Sequence, residues 1–176
     1  DSNGSSFPIA EGIILRTGIA KNTEGIYTNT NLSSQLNSNS DTTLQTISES
    51  TGQDEPITDT TFLEFDFVTI SSNFSFNFIF ASNEYGQWQC GFSDVFAFIL
   101  TDLESGVSEN LALIPGTSQP ITVITIRDDT YNENCTSENS NLFDTYNEPN
   151  SPTSTLNMRG HTTILNASST LTPGKE

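Results

Sequence analysis

Oxygen-bearing side chains are the densest chemistry in this chain. Asp128-Asp129-Thr130-Tyr131-Asn132 carries one at every position, and Glu84 and Asp94 sit in an earlier polar stretch. A hard cation such as calcium takes roughly six to eight oxygens from carboxylates, amides and carbonyls. Glu84, Asp94, Asp128, Asp129 and Asn132 are therefore the candidate calcium ligands. The competing reading is a set of solvated acids, since the chain has 22 acidic residues and neither an EF-hand loop nor a Gly-rich nonapeptide repeat.

Aromatic residues offer a second chemistry. Trp88, the only tryptophan, and Tyr85 lie in a polar segment outside the Phe-rich runs. An exposed ring there can stack on a sugar face while nearby Asp, Asn and Glu bond the hydroxyls; the alternative is that Trp88 caps the end of the core. Catalytic constellations are thin. His161 is the only histidine, no Gly-x-Ser-x-Gly elbow is present, and Cys90 and Cys135 are the only cysteines. Nucleophilic and zinc chemistry both need more than that. Two-carboxylate glycosidase chemistry is compatible with so many acids but has no motif of its own. The expectation is a non-enzymatic protein with no cofactor other than calcium.

Charge narrows the partners. Twenty-two acids against 5 bases give a formal net charge of −17, so nucleic acid and anionic membrane surfaces are repelled. Cations, glycans and proteins remain. No apolar run reaches the length of a membrane helix, and Asp1-Ser2-Asn3-Gly4-Ser5-Ser6 is no signal peptide; the chain reads as a mature or excised piece. Its 176 residues fit a single domain, residues 1–176. Ser, Thr and Asn make up over a third of the chain, and lysine is scarce. That extracellular flavour favours a Cys90–Cys135 disulfide over two free thiols. Such a bond is worth about 4 kcal/mol in the chain-entropy model.

The elements that would position these residues are strands. Leu63, Phe65 and Phe67 alternate with Glu64 and Asp66, predicting a half-buried strand over Phe62 to Ile70. In Asn73 to Ala81, Phe74, Phe76, Phe78 and Phe80 share one face, with Ser75 and Asn77 opposite. Val95 to Leu100 is apolar on both faces, as in a central strand. Leu111 to Ile114 and Ile121 to Ile126 flank a turn at Pro115-Gly116-Thr117. Thr155 to Met158, Thr162 to Leu165 and Ala167 to Leu171 are later strand candidates. From Gly18 to Thr61 the chain reads as a wandering loop, in which Leu32, Leu36, Leu44 and Ile47 mark at most a short helical piece. The predicted fold is all-β, an antiparallel β-sandwich of jelly-roll type with long irregular loops. Ser82 to Asp94 and Asp128 to Asn150 are the two loops that the cystine would tie together.

Phe76-Asn77-Phe78-Ile79-Phe80-Ala81-Ser82-Asn83-Glu84-Tyr85, followed by Phe92-Ser93-Asp94-Val95-Phe96-Ala97-Phe98, resembles the FxFxFASxEY and FxDVFAFxL core of the choice-of-anchor L domain. Gly12-Ile13-Ile14-Leu15-Arg16-Thr17-Gly18 is similar to the family's opening GIxLSTG, and Leu111 to Thr117 also fits. The resemblance implies a module of a large secreted bacterial surface protein, commonly in type IX secretion, gliding or adhesin contexts. Neighbouring domains of the same polypeptide, surface glycans and surface proteins are the implied partners. It also implies that the family continues for a strand or two beyond Pro173-Gly174-Lys175-Glu176. In that context Asp41-Thr42-Thr43 and Asp59-Thr60-Thr61 look like O-glycan acceptors at Thr42 and Thr60.

Overall fold

The computed structural model describes residues 7–28 and 40–175. A 3-10 turn (Ala20–Thr23) and a helix, α1 (Thr42–Glu49), precede the strands. These are β1 (Asn73–Phe78), β2 (Ala81–Ser82), β3 (Val95–Phe96), β4 (Ile99–Asp102), β5 (Val107–Asn110), β6 (Ile121–Thr122), β7 (Phe143–Tyr146), β8 (Gly160–Thr162) and β9 (Leu165–Thr170). Every ladder is antiparallel: β1 with β9, β2 with β8 and β8 with β7, β3 with β6, and β4 with β5. The architecture is the expected antiparallel all-β sandwich with long irregular loops, and α1 is its one α-helix among the described residues.

The Phe-rich run behaves as its period demands. Phe74, Phe76 and Phe78 turn one way and are half-buried, whereas Asn73, Ser75 and Asn77 are exposed. Opposite them, Phe76 pairs with Ala167 and Phe78 with Leu165 across the β1–β9 ladder. The rings continue into the next strands: Phe76 meets Phe98 at 4.5 Å and Phe78 meets Phe96 at 5.0 Å between centroids. Each such pair adds roughly 0.5–1.5 kcal/mol beyond area burial. The two ribbons run on past an irregularity, where Thr162 donates its N–H to the Phe80 carbonyl and its hydroxyl accepts from the Phe80 N–H. Ala81 then pairs with His161.

The tightest core lies around residues 112–126. Ala112, Ile121, Val123 and Ile126 are wholly buried with Tyr85, and Phe80, Ile114 and Leu165 complete the cluster. The predicted turn closes it: Thr117 donates to the Ile114 carbonyl at 3.0 Å, and Gly116 takes φ 77°.

Several predicted strands differ in the structure. Phe62 to Ile70 joins no ladder, and Phe62, Leu63, Phe65, Val68 and Ile70 are exposed. It meets β1 through ring contact, Phe67 stacking on Phe74 at 5.2 Å, while the β1 ladder is made with β9 alone. This segment and Ile13, Ile14 and Leu15 border an open groove of about 2770 Å³. Val95 to Leu100 is half-buried except for the exposed Ile99, and it is split in two. Phe98 donates its N–H to the Asn110 side chain, and the chain changes partner there, from β6 to β5. Leu111 to Ile114 retains only the Leu113–Pro120 bridge, and Thr155 to Met158 forms no strand.

Helix α1 falls inside the stretch expected to be loop. Its N-terminus is set by Asp41, whose carboxylate accepts from the Leu44 N–H at 2.8 Å. Such a cap offsets three helical threonines of low propensity. Leu44 and Ile47 are on the helix; Leu32 and Leu36 lie outside the described residues.

Candidate functional site

Cys90 and Cys135 form a disulfide with 5.9 Å between their Cα atoms. It links the loop after β2 to the loop before β7, as the sequence suggested. Polar bonds reinforce the tie. Gln89, fully buried, accepts from the Gly86 N–H and donates to the Asp128 carbonyl at 2.8 Å, and the Asn132 amide donates to the Gly86 carbonyl at 3.0 Å. Gly86 has φ 77°, and a Cβ there would stand 2.7 Å from the Tyr146 hydroxyl, so only glycine fits. Gln89 and Gly86 escaped the sequence reading because a lone glutamine and a lone glycine carry no motif.

The candidate ligands divide. Tyr85 is fully buried, with its ring tilted on Phe143 at 4.6 Å and close against Gly160. Burial, then the charge of Asp94, pushes its hydroxyl pKa far up. It is a core residue and not the exposed partner of Trp88 that its polar neighbourhood suggested. Trp88 is 49% exposed, which removes it from the core, and its partner is Phe92, 52% exposed and edge-on at 5.6 Å.

Glu84 and Asp94 come together with Ser82. Ser82 donates its hydroxyl to the Asp94 carboxylate at 2.9 Å and accepts from the Glu84 N–H, while Asp94 donates its own N–H to the Glu84 carboxylate at 2.8 Å. Arg16 is close enough for its charge to favour the Asp94 carboxylate. Three motif segments, around Arg16, Ser82 to Glu84 and Asp94, thus converge on one carboxylate pair. Asp94 opens to the groove on one side and is hemmed in by protein on the others. That confinement raises its pKa against the opposing Ser82 bond and the Arg16 charge. Burial and the adjacent Asp94 push Glu84 up to about 7, against the Asp94 N–H bond.

Asp128, Asp129 and Asn132 do not join that pair. The Thr130 hydroxyl and then its N–H bond the Asp128 carboxylate and hold its pKa low, and Asn132 accepts from the Asn134 N–H. No three His, Cys, Asp or Glu side chains converge as metal ligands among the described residues. The five expected calcium ligands therefore do not form one cage. The cystine joins their loops, but local turns hold the oxygens apart.

His161 is 1% exposed on β8, with Nδ1 2.8 Å from the Thr162 carbonyl and the edge of Phe7 near its ring. Thr42 is exposed at the first turn of α1, beside its capping Asp41. The Thr60 hydroxyl oxygen is buried, so the folded chain does not present it as an acceptor. No helix among the described residues is long and apolar enough to cross a membrane.

A comparison with known families matches residues 1–176 to the Choice-of-anchor L domain. No curated protein and no solved structure matches the chain.

Proposed function

Since the chain belongs to the choice-of-anchor L domain family, whose members are secreted surface-associated modules, we propose that it is a non-catalytic, extracellular module of a bacterial cell-surface adhesin. It attaches to its target through the stapled loops. The observation that carries this reading is the rigid loop end. A disulfide, the buried Gln89 and the Asn132 amide fix two polar loops together, with Trp88 and Phe92 exposed on one of them. Rigid loops lose little conformational entropy on binding, which favours recognition. The burial of the only imidazole, His161, also weighs toward adhesion over acid–base catalysis.

Beads coated with the chain should attach to the extracellular matrix of the producing bacterium. A Fab against residues 84–94 or 128–138 is expected to block attachment, and a Fab against the β4–β5 hairpin to leave it unchanged. Equal blocking by both, or by neither, would remove the stapled loops from the adhesive role.

A further inference from the structure

A second feature of the stapled end does not involve the Trp88 ring. The 3-10 turn Asp129–Tyr131 sets Tyr131 against Tyr146 of β7, with the rings 4.2 Å apart and within 10° of parallel. Arg159 braces the arrangement at the wall of the cleft that it helps to line. It donates through Nη1 to the Tyr146 hydroxyl at 2.9 Å and through Nε to the Tyr27 hydroxyl at 2.7 Å, and its guanidinium lies over both rings. Tyr131 is nevertheless 38% exposed and faces an open cleft of about 540 Å³, with Gln87 and Asn134 on its rim.

We propose that this cleft binds a neutral pyranose unit of a polysaccharide, with the apolar face of the sugar on Tyr131 and its hydroxyls on the Gln87 and Asn134 amides. The inference rests on the adhesive reading above and names its ligand class. An aromatic shelf held rigid by a second ring and an arginine gives a sugar a flat apolar surface without an ordering cost. Charge selects the sugar. Glu133 lines the cleft, and burial followed by Asp128, Tyr146 and Glu148 raises the Tyr131 hydroxyl pKa, which places those two carboxylates nearby. With a net charge of −17, the site repels uronates and sulfated or sialylated glycans. Arg159 also lines the cleft but does not reverse this, because its Nε and Nη1 donors are taken by the Tyr27 and Tyr146 hydroxyls and the neighbouring carboxylates outnumber its single charge.

Affinity electrophoresis of the purified 176-residue chain in native gels tests the inference, with β-glucan, xylan, mannan and soluble chitosaccharides as neutral probes and alginate and polygalacturonate as acidic ones. At least one neutral probe should retard the chain, and neither acidic one should. Tyr131→Ala should weaken the retardation at least tenfold, Asn134→Ala several-fold, and Tyr131→Trp should preserve it; thermal melts identify any variant that fails to fold. Retardation by no neutral probe, retardation by acidic probes alone, or unchanged binding in folded Tyr131→Ala would overturn the inference. If Trp88→Ala and not Tyr131→Ala abolished binding, the platform would be the Trp88–Phe92 pair. The adhesive reading would then stand without this cleft, whereas failure of the Fab experiment with glycan binding intact would do the reverse.

Discussion

Two residues that look alike in sequence have opposite fates. Tyr85 and Trp88 share a polar segment, but the first is fully buried and the second 49% exposed. Tyr85→Ala should therefore cost about 3–5 kcal/mol, and Trp88→Ala less than about 0.5 kcal/mol, by urea denaturation. Equal losses would mean that Trp88 is packed. The carboxylate pair gives a pH signature. Glu84 has its pKa raised from an ordinary 4.5 to about 7 by burial and then by Asp94. Between those values the folded chain holds a proton that the unfolded chain has released, so this residue's contribution to stability is full below about pH 4.5 and is lost as pH rises toward 7. Glu84→Gln should remove on the order of 1 kcal/mol of that decline. The check is a series of urea midpoints from pH 4 to pH 8. An unchanged slope would mean that Glu84 is solvated and ionised throughout.

At the level of elements, alternation marks a candidate strand but not its partner. Asn73–Phe78 and Phe62–Ile70 both alternate, yet only the first lies in a ladder, because β9 presents Ala167 and Leu165 in register with it. Amide hydrogen exchange should separate them. Residues 63–68 are expected to exchange at least tenfold faster than Phe74, Phe76 and Phe78, and equal protection would place 62–70 in a sheet. β7 carries no period-2 signal in the sequence: Phe143-Asp144-Thr145-Tyr146 reads apolar, polar, polar, apolar, and a register shift between Phe143 and Thr145 interrupts its ladder. Asp41 shows the reverse case: in sequence it belongs to an acceptor-like triplet, and in the structure it caps α1.

Across the whole molecule, the stapled end depends on one covalent bond between residues 45 positions apart. Closing a loop of that length constrains the unfolded chain by about 4 kcal/mol. Reduction should lower the urea midpoint accordingly and leave the β-sheet circular dichroism signal in place at low denaturant. A loss under about 1 kcal/mol would mean that Gln89 and Asn132 alone hold the loops. The charge of −17 acts at the same scale and opposes anionic partners wherever they dock.

The sequence by itself determined the class of fold, the face of β1 that turns inward, the turn at residues 115–117, the cystine and the family. The strands, the turn and the family are written in local periodicity, in a dipeptide's backbone preference or in a motif, and the cystine in the cysteine count and the composition. Tertiary structure alone decided which alternating segment found a ladder and that Tyr85 is core. It also decided that Glu84 and Asp94 share Ser82 while Asp128, Asp129 and Asn132 stay apart. Tyr131, Tyr146 and Arg159 could not be joined in advance, because a stacked pair and the cation that braces it are contacts between distant turns and strands. Spacing along the chain carries no record of such contacts.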